Sequence, residues 1–185
     1  MRHWLLKTEP EVFSIDDLLA APKRTTGWDG VRNFQARNML RDDLKLGDRI
    51  LIYHSNAEPP GVAGVAEVAR EGYVDETQFD PDDHHFDPKS KREAPQWFKV
   101  DVRGVEKLAR VVGLPELRDN PKLEGMPLLR PGQRLSVQPV SPEHYELILA
   151  MAKAAPKESA PAPKAAPKAS KASKAKGKSA KAKKT

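Results

Sequence analysis

The C-terminal segment 153–185 most constrains what this chain can fold into. It consists mainly of Ala, Lys, Pro and Ser and contains no large apolar or aromatic residue. Such a segment cannot bury enough apolar surface to offset the entropy lost on ordering, so we expect a disordered tail. Any folded core must be built from residues 1–152, which is enough for one domain of ordinary size.

The net charge of +6 is unevenly divided between these two parts. Segment 153–185 holds 11 of the 32 basic residues and one of the 26 acidic residues, Glu158, which leaves a net charge of −4 for residues 1–152. The tail is therefore a polycation. Nucleic acid is its expected partner, because neutralising phosphates releases condensed counterions. A solubilising extension and an acidic lipid surface are the alternatives.

The chain has no cysteine, which excludes disulfides, zinc-thiolate sites, cysteine nucleophiles and iron-sulfur ligation. Its N-terminal apolar run, Trp4–Leu6, is too short for a signal sequence or a membrane span. We therefore expect a protein that is not secreted and has no membrane partner. Its expected location is the nucleus in a eukaryotic cell, or the cytoplasm and nucleoid in a bacterial one.

Local patterns predict short strands interrupted by helices throughout residues 1–152. The predicted strands are Trp4–Leu6, Arg49–His54, Gly61–Val68, Trp97–Val102 and Arg134–Val140. The predicted helices begin at Ser14, lie between Val31 and Leu44, and begin again at Ser141, with Tyr145, Ile148 and Leu149 as the buried stripe of the last. Because βαβ regularity is missing, the pattern predicts an α+β fold: a curved sheet or small β-barrel flanked by short helices.

Many segments of the folded part, in order over about residues 2–151, resemble the EVE domain. They are Trp4–Pro10, Ser14–Leu18, Trp28–Asn33, Ala36–Asn38, Gly47–Asp48, Tyr53–Ser55, Gly64–Val68, Tyr73–Asp80, Asp87–Ser90, Trp97, Val100–Val102 and Arg134–Ser141. The resemblance implies a PUA-like fold, distantly similar to YTH domains. It also implies recognition of a modified base in DNA or RNA. We further expect the protein to be a non-catalytic monomer without a metal or cofactor.

Reading a single base requires a flat surface for stacking, donors and acceptors for the base edge, and cations for the flanking phosphates. Trp28 follows loop signals at residues 22–27 and is expected in an irregular turn, which makes it the first candidate for the stacking wall. The alternative for Trp28 is a buried loop anchor. Trp97 lies among apolar neighbours and is expected in the core.

Asn33 is a second candidate. In a helix between Val31 and Leu44 it would fall about 60° from Ala36, on the apolar face, where an amide needs partners. The alternative is that Asn33 caps the helix. From the family motif come further candidates for base-edge and phosphate contacts, Lys7, Glu9, Ser14 and Arg32.

Two strand ends supply the remaining candidates. Alternation puts Tyr53 and Ser55 on one face of their strand and His54 on the other, so Tyr53 is expected to form a second aromatic wall beside Ser55. Ser136 and Gln138 likewise share a face and are candidates for reading a base edge. Half-buried or exposed residues of ordinary strands would show the same pattern.

No phosphate-binding loop, dinucleotide fingerprint or nucleophile elbow occurs in the sequence. Segment Asp80–Asp87 concentrates carboxylates and imidazoles, but it lacks the spacing of an EF-hand loop and is expected to be a solvated acidic loop. The alternative to a binding module is an enzyme acting on nucleic acid or nucleotide, with His54 as acid or base beside a carboxylate such as Glu9.

Overall fold

The computed structural model describes residues 1–154. Its last helix runs to Lys153, so the predicted polycationic tail lies outside the described residues except for its first two positions. No helix within residues 1–154 combines the length and apolar character needed to cross a membrane.

The chain folds into one mixed sheet with short helices, which confirms the predicted α+β class. The six strands are β1 His3–Thr8, β2 Thr25–Trp28, β3 Arg49–His54, β4 Gly61–Val74, β5 Phe98–Gly113 and β6 Val137–Val140, in the order β2-β5-β4-β3-β1-β6. The α-helices are α1 Ile15–Ala20, α2 Phe34–Asn38, α3 Leu114–Asp119 and α4 Pro142–Lys153. Met39–Asp43 adds a π-helical turn to α2, and 3₁₀ turns lie at Pro22–Arg24, Glu76–Phe79, Pro121–Leu123 and Pro127–Leu129.

Strand β1 lies between β3, to which it is parallel, and β6, to which it is antiparallel. Its register with β3 places Lys7 beside Tyr53 and Thr8 beside His54. Beyond the last β6 pair, the Lys7 amide donates to the Ser136 carbonyl at 2.9 Å. The carboxyl ends of β1 and β3 therefore meet at one rim of the sheet.

Side-chain alternation along β1 and β3 divides the core in two. Leu6 and Ile52 belong to one cluster, packed with residues of α1 and α2. Leu5 and Leu51 point to the other face and belong to a second cluster, packed with residues of α3 and α4. Each face of the sheet is thus covered by helices at its centre.

Strands β4 and β5 are much longer than predicted, because they reach Val74 and Gly113. Beyond Val68, β4 contains exposed residues such as Arg70 and Glu71, so its hydrophobic pattern fades while its pairing with β5 continues across several register shifts. An antiparallel pair with one solvated face needs no continuous apolar run. Backbone hydrogen bonds between β4 and β5 therefore extend both strands into segments whose composition does not predict a strand.

The expectation of an irregular turn at Trp28 is wrong. Thr25–Trp28 forms β2, an edge strand antiparallel to β5, with Trp28 opposite Val100. The segment contains Gly27, which disfavours a strand locally, and its pairing with β5 overrides that preference. At Gly27 an added Cβ would lie 3.3 Å from the Tyr73 hydroxyl, so a small residue suits this close approach.

Two predicted helix starts are confirmed. Ser14 caps α1 in a capping box, since its hydroxyl accepts from the Asp17 amide at 3.1 Å while the Asp17 carboxylate accepts from the Ser14 amide at 2.8 Å. Ser141 caps α4, whose buried residues are Tyr145, Ile148 and Ala152, with Leu149 only partly buried. Pro139 is exposed on the edge strand β6, as a residue without an amide hydrogen requires.

Asp48 ties the N-terminus to the turn before β3. Its buried carboxylate accepts from the Arg2 amide at 2.7 Å, the Trp4 indole at 3.0 Å and the Lys45 amide at 3.1 Å. Burial alone would raise the pKa of Asp48, but these hydrogen bonds outweigh it and hold the pKa below its ordinary value.

We expect Asp48→Asn to lower the free energy of unfolding near pH 7 by about 1 to 3 kcal/mol, because the new amide group would face N–H donors. The unfolded state binds the proton more readily than the native state, so the contribution of Asp48 is complete above about pH 4 and is lost as the pH falls through the lower native pKa. Urea unfolding at several pH values should show the deficit of the variant narrowing in acid.

The matched control is Asp43→Asn, which removes an exposed carboxylate paired with Arg2 and should change stability little. A deficit for Asp48→Asn that stayed constant down to about pH 2 would contradict this role of the ionised carboxylate.

Candidate functional site

A cavity of about 310 Å³ opens at the rim where β1 and β3 end. Side chains from β1, β3, α3 and the segment before β6 line it. These residues are Lys7, Tyr53, Ser55, Asn56, Pro60, Leu114, Arg118, Leu128, Arg130, Gly132, Gln133 and Arg134. They combine four cations, several amide and hydroxyl groups and an apolar floor.

The cations of this cavity have no acidic partners. Lys7, Arg118, Arg130 and Arg134 line it without a carboxylate, and none of the four forms an ion pair within residues 1–154. Arg110, by contrast, pairs with Glu116 at 2.7 Å. The cavity therefore offers positive charge to an external anion.

Lys7 and Tyr53 line the cavity from neighbouring positions on β1 and β3. The Lys7 ammonium donates to the Gln133 carbonyl at 3.3 Å and lies 5.9 Å from the centre of the Tyr53 ring. Burial lowers the pKa of Lys7. Burial raises the pKa of the Tyr53 hydroxyl, against the opposing effect of the nearby Arg118 charge, so this hydroxyl stays a neutral donor and acceptor.

Ser55 continues the same edge. Its amide and its hydroxyl both donate to the Thr8 carbonyl, at 2.8 and 3.2 Å. The expectation that Tyr53 and Ser55 share a face while His54 points away is confirmed, because Tyr53 belongs to the core cluster of α3 and α4 and His54 contacts α1.

A second cavity of about 360 Å³ lies on the far side of Arg118 and Arg130, which line both cavities. Its other lining residues come from the turns between α3 and β6: Asn120, Pro121, Glu124, Gly125, Met126 and Leu129. The two shared arginines thus border both depressions, and the second depression also contains the Glu124 carboxylate.

Trp28 lies away from this surface. Its side chain is 8% exposed and packs edge-to-face on Phe13, with ring centres 6.5 Å apart, in the core cluster of α1 and α2. The indole N–H groups of Trp4 and Trp97 donate to Asp48 and Asp87, whereas that of Trp28 has no acceptor within residues 1–154. Its position matches the alternative of a buried anchor, and its stacking role stays a prediction.

The predicted pair of aromatic walls is therefore divided between the two faces of the sheet. The structure brings Lys7, Tyr53 and Ser55 together at one cavity. Trp28 and Tyr53 belong to different core clusters, so they do not face each other across one cage.

Asn33 lies at the start of α2 and outside it. Its side-chain oxygen accepts from the Ala36 amide at 3.0 Å, which confirms the capping alternative, and the residue is exposed. The expectation that Asn33 lies on the apolar face is wrong, because the helix begins at Phe34. Sequence periodicity does not locate a helix start when the capping residue follows the same spacing.

Arg32 is held within the protein. Its guanidinium donates to the Asp75 carboxylate at 2.8 Å, to the Thr77 hydroxyl at 2.9 Å and to the His85 carbonyl at 2.8 and 2.6 Å. These bonds fasten the segment after β4 to the loop after β2.

His54 and Glu9 do not form a catalytic pair in this structure. The buried His54 ring accepts the Ile15 amide hydrogen bond on Nε2 at 3.1 Å, so the nitrogen needed for base chemistry is occupied, while Glu9 is exposed. Burial lowers the pKa of His54, with smaller opposing and supporting effects from Asp16 and Lys107. The imidazole is thus held neutral as a structural acceptor.

Gln138 is buried, contrary to the expectation of a base-reading amide on the strand surface. Its Nε2 donates to the Leu135 carbonyl at 2.7 Å, and its buried Oε1 has no partner within the described residues. The Ser14 hydroxyl caps α1, whereas the bond at Ser136 uses its backbone carbonyl, so the base-reading role of the Ser136 hydroxyl stays a prediction.

Sequence reasoning missed five polar or charged residues of the cavity: Asn56, Arg118, Arg130, Gln133 and Arg134. Three of them fall in Arg130–Arg134, where Pro131 and Gly132 mark a loop between two arginines. The sequence signal that could have identified these three residues was a basic loop directly before a strand. Nothing local indicates that α3 brings Arg118 to the same place.

The predicted acidic loop contains one compact group. Ligand atoms of Asp83, His84 and His85 lie within 4.8 Å of one another, close enough to share one cation.

Trp97 was expected in the core. Its side chain is 5% exposed, which confirms that expectation.

Comparison with known proteins adds a family to this geometry. The model of the EVE domain matches residues 2–151. The human protein named thymocyte nuclear protein 1 is 44% identical over 170 residues, which cover 83% of this chain and 75% of the human protein.

Two solved structures share the fold. Human THYN1 protein in complex with 5-methylcytosine containing DNA superposes with a TM-score of 0.79 at 43% identity, covering 84% of this chain and all of that chain. A hypothetical protein from Leishmania major gives a TM-score of 0.77 at 48% identity and covers 83% of this chain and 95% of that chain.

The buried acceptor role of His54 predicts a pH effect on stability. Because its native pKa lies below the ordinary value of 6.5, the native state resists protonation, and the stabilisation is complete above about pH 7 and is lost as the pH falls below the unfolded pKa. Replacing the ring in His54→Gln should reduce the stability lost between about pH 7.5 and pH 5.5 in urea unfolding. An NMR titration with the His54 ring protonating at or above its ordinary pKa would overturn this account.

Proposed function

The chain belongs to the EVE domain family. We propose on that basis that it is a non-catalytic module that binds DNA. In this proposal the basic cavity at the ends of β1 and β3 takes one nucleotide that carries a modified base. The observation that carries the proposal is the group of four cavity cations without acidic partners in residues 1–154. The proposed location is the nucleus in a eukaryotic cell, or the cytoplasm and nucleoid in a bacterial one.

Charge supports a polyanion as the ligand. Residues 1–152 carry a net charge of −4, so a general attraction to phosphate is not expected of the folded part. At the cavity the sign is reversed, because every charged side chain that lines it is positive. Such a local concentration directs phosphate groups to one place on a domain that otherwise repels them.

The shape and chemistry of the cavity support a single nucleotide. A volume of about 310 Å³ lies at the small end of the range for ligand sites. The Tyr53 hydroxyl, Ser55, Asn56 and Gln133 supply donors and acceptors for a base edge, and guanidinium planes at the mouth can stack on a base. The apolar floor includes Leu114 and Leu128, which suits a methyl group.

The modified base and the choice of DNA follow from the relative whose structure holds 5-methylcytosine containing DNA. We propose the same class of ligand for this chain. RNA of the same sequence is the comparison that tests the choice.

The first test neutralises cavity cations one at a time, in Lys7→Gln and Arg134→Gln. Each variant should bind a duplex containing 5-methylcytosine more weakly and lower the slope of log affinity against log salt by about 1, since one phosphate contact is lost. Fluorescence anisotropy over a range of salt concentrations measures both quantities.

Arg24→Gln is the matched control, because Arg24 is exposed, lies outside the cavity and forms no ion pair within the described residues. Its slope should equal that of the unaltered chain. Equal slopes for all three variants would remove the cavity from the binding surface.

A role for the tail is proposed from sequence alone. Deleting residues 155–185 should flatten the salt dependence of binding, because it removes most of the lysines of the polycationic segment, and should leave the preference for the methylated duplex unchanged. Competition between methylated and unmethylated duplexes measures that preference. A preference that vanished with the tail would contradict a cavity that selects the base.

A further inference from the structure

A flat aromatic surface lies on the opposite face of the sheet from the basic cavity. Phe34, the first residue of α2, is 55% exposed, the most exposed aromatic side chain in residues 1–154. Its ring stacks on the buried ring of Trp97, with centres 4.8 Å apart and planes 25° apart. A large ring held flat at the surface exposes one face to solvent.

Cations surround this aromatic pair. The Arg37 guanidinium lies 5.0 Å from the centre of the Phe34 ring and 6.0 Å from that of Trp97, and the Arg32 guanidinium lies 5.4 Å from Trp97. Arg37 forms no ion pair within the part of the chain that the structure describes. Burial lowers the pKa of Arg37, the charge of Arg41 lowers it further, and the Asp42 carboxylate that pairs with Arg41 opposes these effects.

The stacked rings of Phe34 and Trp97, which we call the stacking platform, are held in place by hydrogen bonds to Trp97. The Trp97 indole donates to the Asp87 carboxylate at 2.7 Å, and the buried Gln78 side chain bonds to the Trp97 amide and carbonyl at 3.1 and 2.9 Å. Arg37 also donates to the Gln96 carbonyl. Rings and guanidinium groups that are already fixed lose little entropy when a ligand stacks on them.

A protein partner that buries apolar surface does not suit this site, because a single ring rimmed by arginine is not a broad apolar patch. Its chemistry fits a ligand that combines flat rings with negative charge. An unpaired nucleobase stacks on an exposed aromatic face, and the phosphate beside it contacts arginine.

We propose that Phe34, supported by Trp97 and flanked by Arg37, stacks an unpaired nucleobase of the strand that the protein binds. This inference rests on the proposed function and adds a second contact to it. Helix α2 packs on the core cluster of α1 and α2 through Ala36, whereas the cavity lies against the other cluster, so the two contacts are independent in position.

The test compares three full-length variants on single-stranded and duplex oligonucleotides of one sequence that contains a 5-methylcytosine, as DNA and as RNA. Phe34→Ala should lower affinity for the single strand about tenfold and leave the salt slope unchanged, since stacking involves no counterion. Phe34→Trp should retain affinity, because the new ring also stacks. The control Leu46→Ala removes another exposed apolar side chain, 67% exposed, and should bind like the unaltered chain.

Equal binding by Phe34→Ala and the unaltered chain, with both folded by circular dichroism, would overturn the stacking platform and leave the cavity proposal standing. Weak binding by Phe34→Trp would overturn it too, since a stacking role tolerates a larger ring. Failure of the unaltered chain to bind any of the oligonucleotides would end both proposals.

Discussion

The pairing of β1 with β3 and β6 is the constraint on which the rest of the molecule depends. Parallel register with β3 sets Lys7 beside Tyr53, and the bond from the Lys7 amide to Ser136 brings the preceding arginine-rich loop against the same rim. A shift of one residue would send Lys7 to the face of Leu6 and bury its ammonium in the core. The cost of burying the unpaired Lys7 ammonium opposes that shift, since the run Trp4–Leu6 is apolar on both faces.

The positive cavity on a negative domain has a simple origin. Carboxylates elsewhere are engaged in specific bonds: Glu67 with Arg49 and Arg103, Glu116 with Arg110. Around the cavity no carboxylate is placed to do the same. Net charge therefore says little about where such a domain binds a polyanion, and the distribution of ion pairs says more. Arg32, although part of the family motif, is engaged in the same way with Asp75 and the His85 carbonyl.

Much of the fold could be predicted from sequence because its signals are local. The caps at Ser14 and Ser141 and the apolar run of β3 are short-range features that the structure confirms. Strand β2 could not be predicted, since its stability comes from pairing with β5. The candidate site was predicted only in part for the same reason: Lys7, Tyr53 and Ser55 belong to two paired strand ends, whereas Arg118 and Arg130 come from α3 and a later turn. Trp28 shows the limit of residue type as evidence, because an indole suited to stacking is equally suited to a core.

The most direct measurement is amide chemical-shift mapping of the full chain titrated with a short duplex containing one 5-methylcytosine. A nucleotide bound at the rim of β1 and β3 would move the resonances of Lys7, Tyr53, Ser55 and Gln133 together, with one dissociation constant. Shifts confined to the neighbourhood of Trp28, with the cavity residues unmoved, would contradict the assignment of the cavity as the nucleotide site.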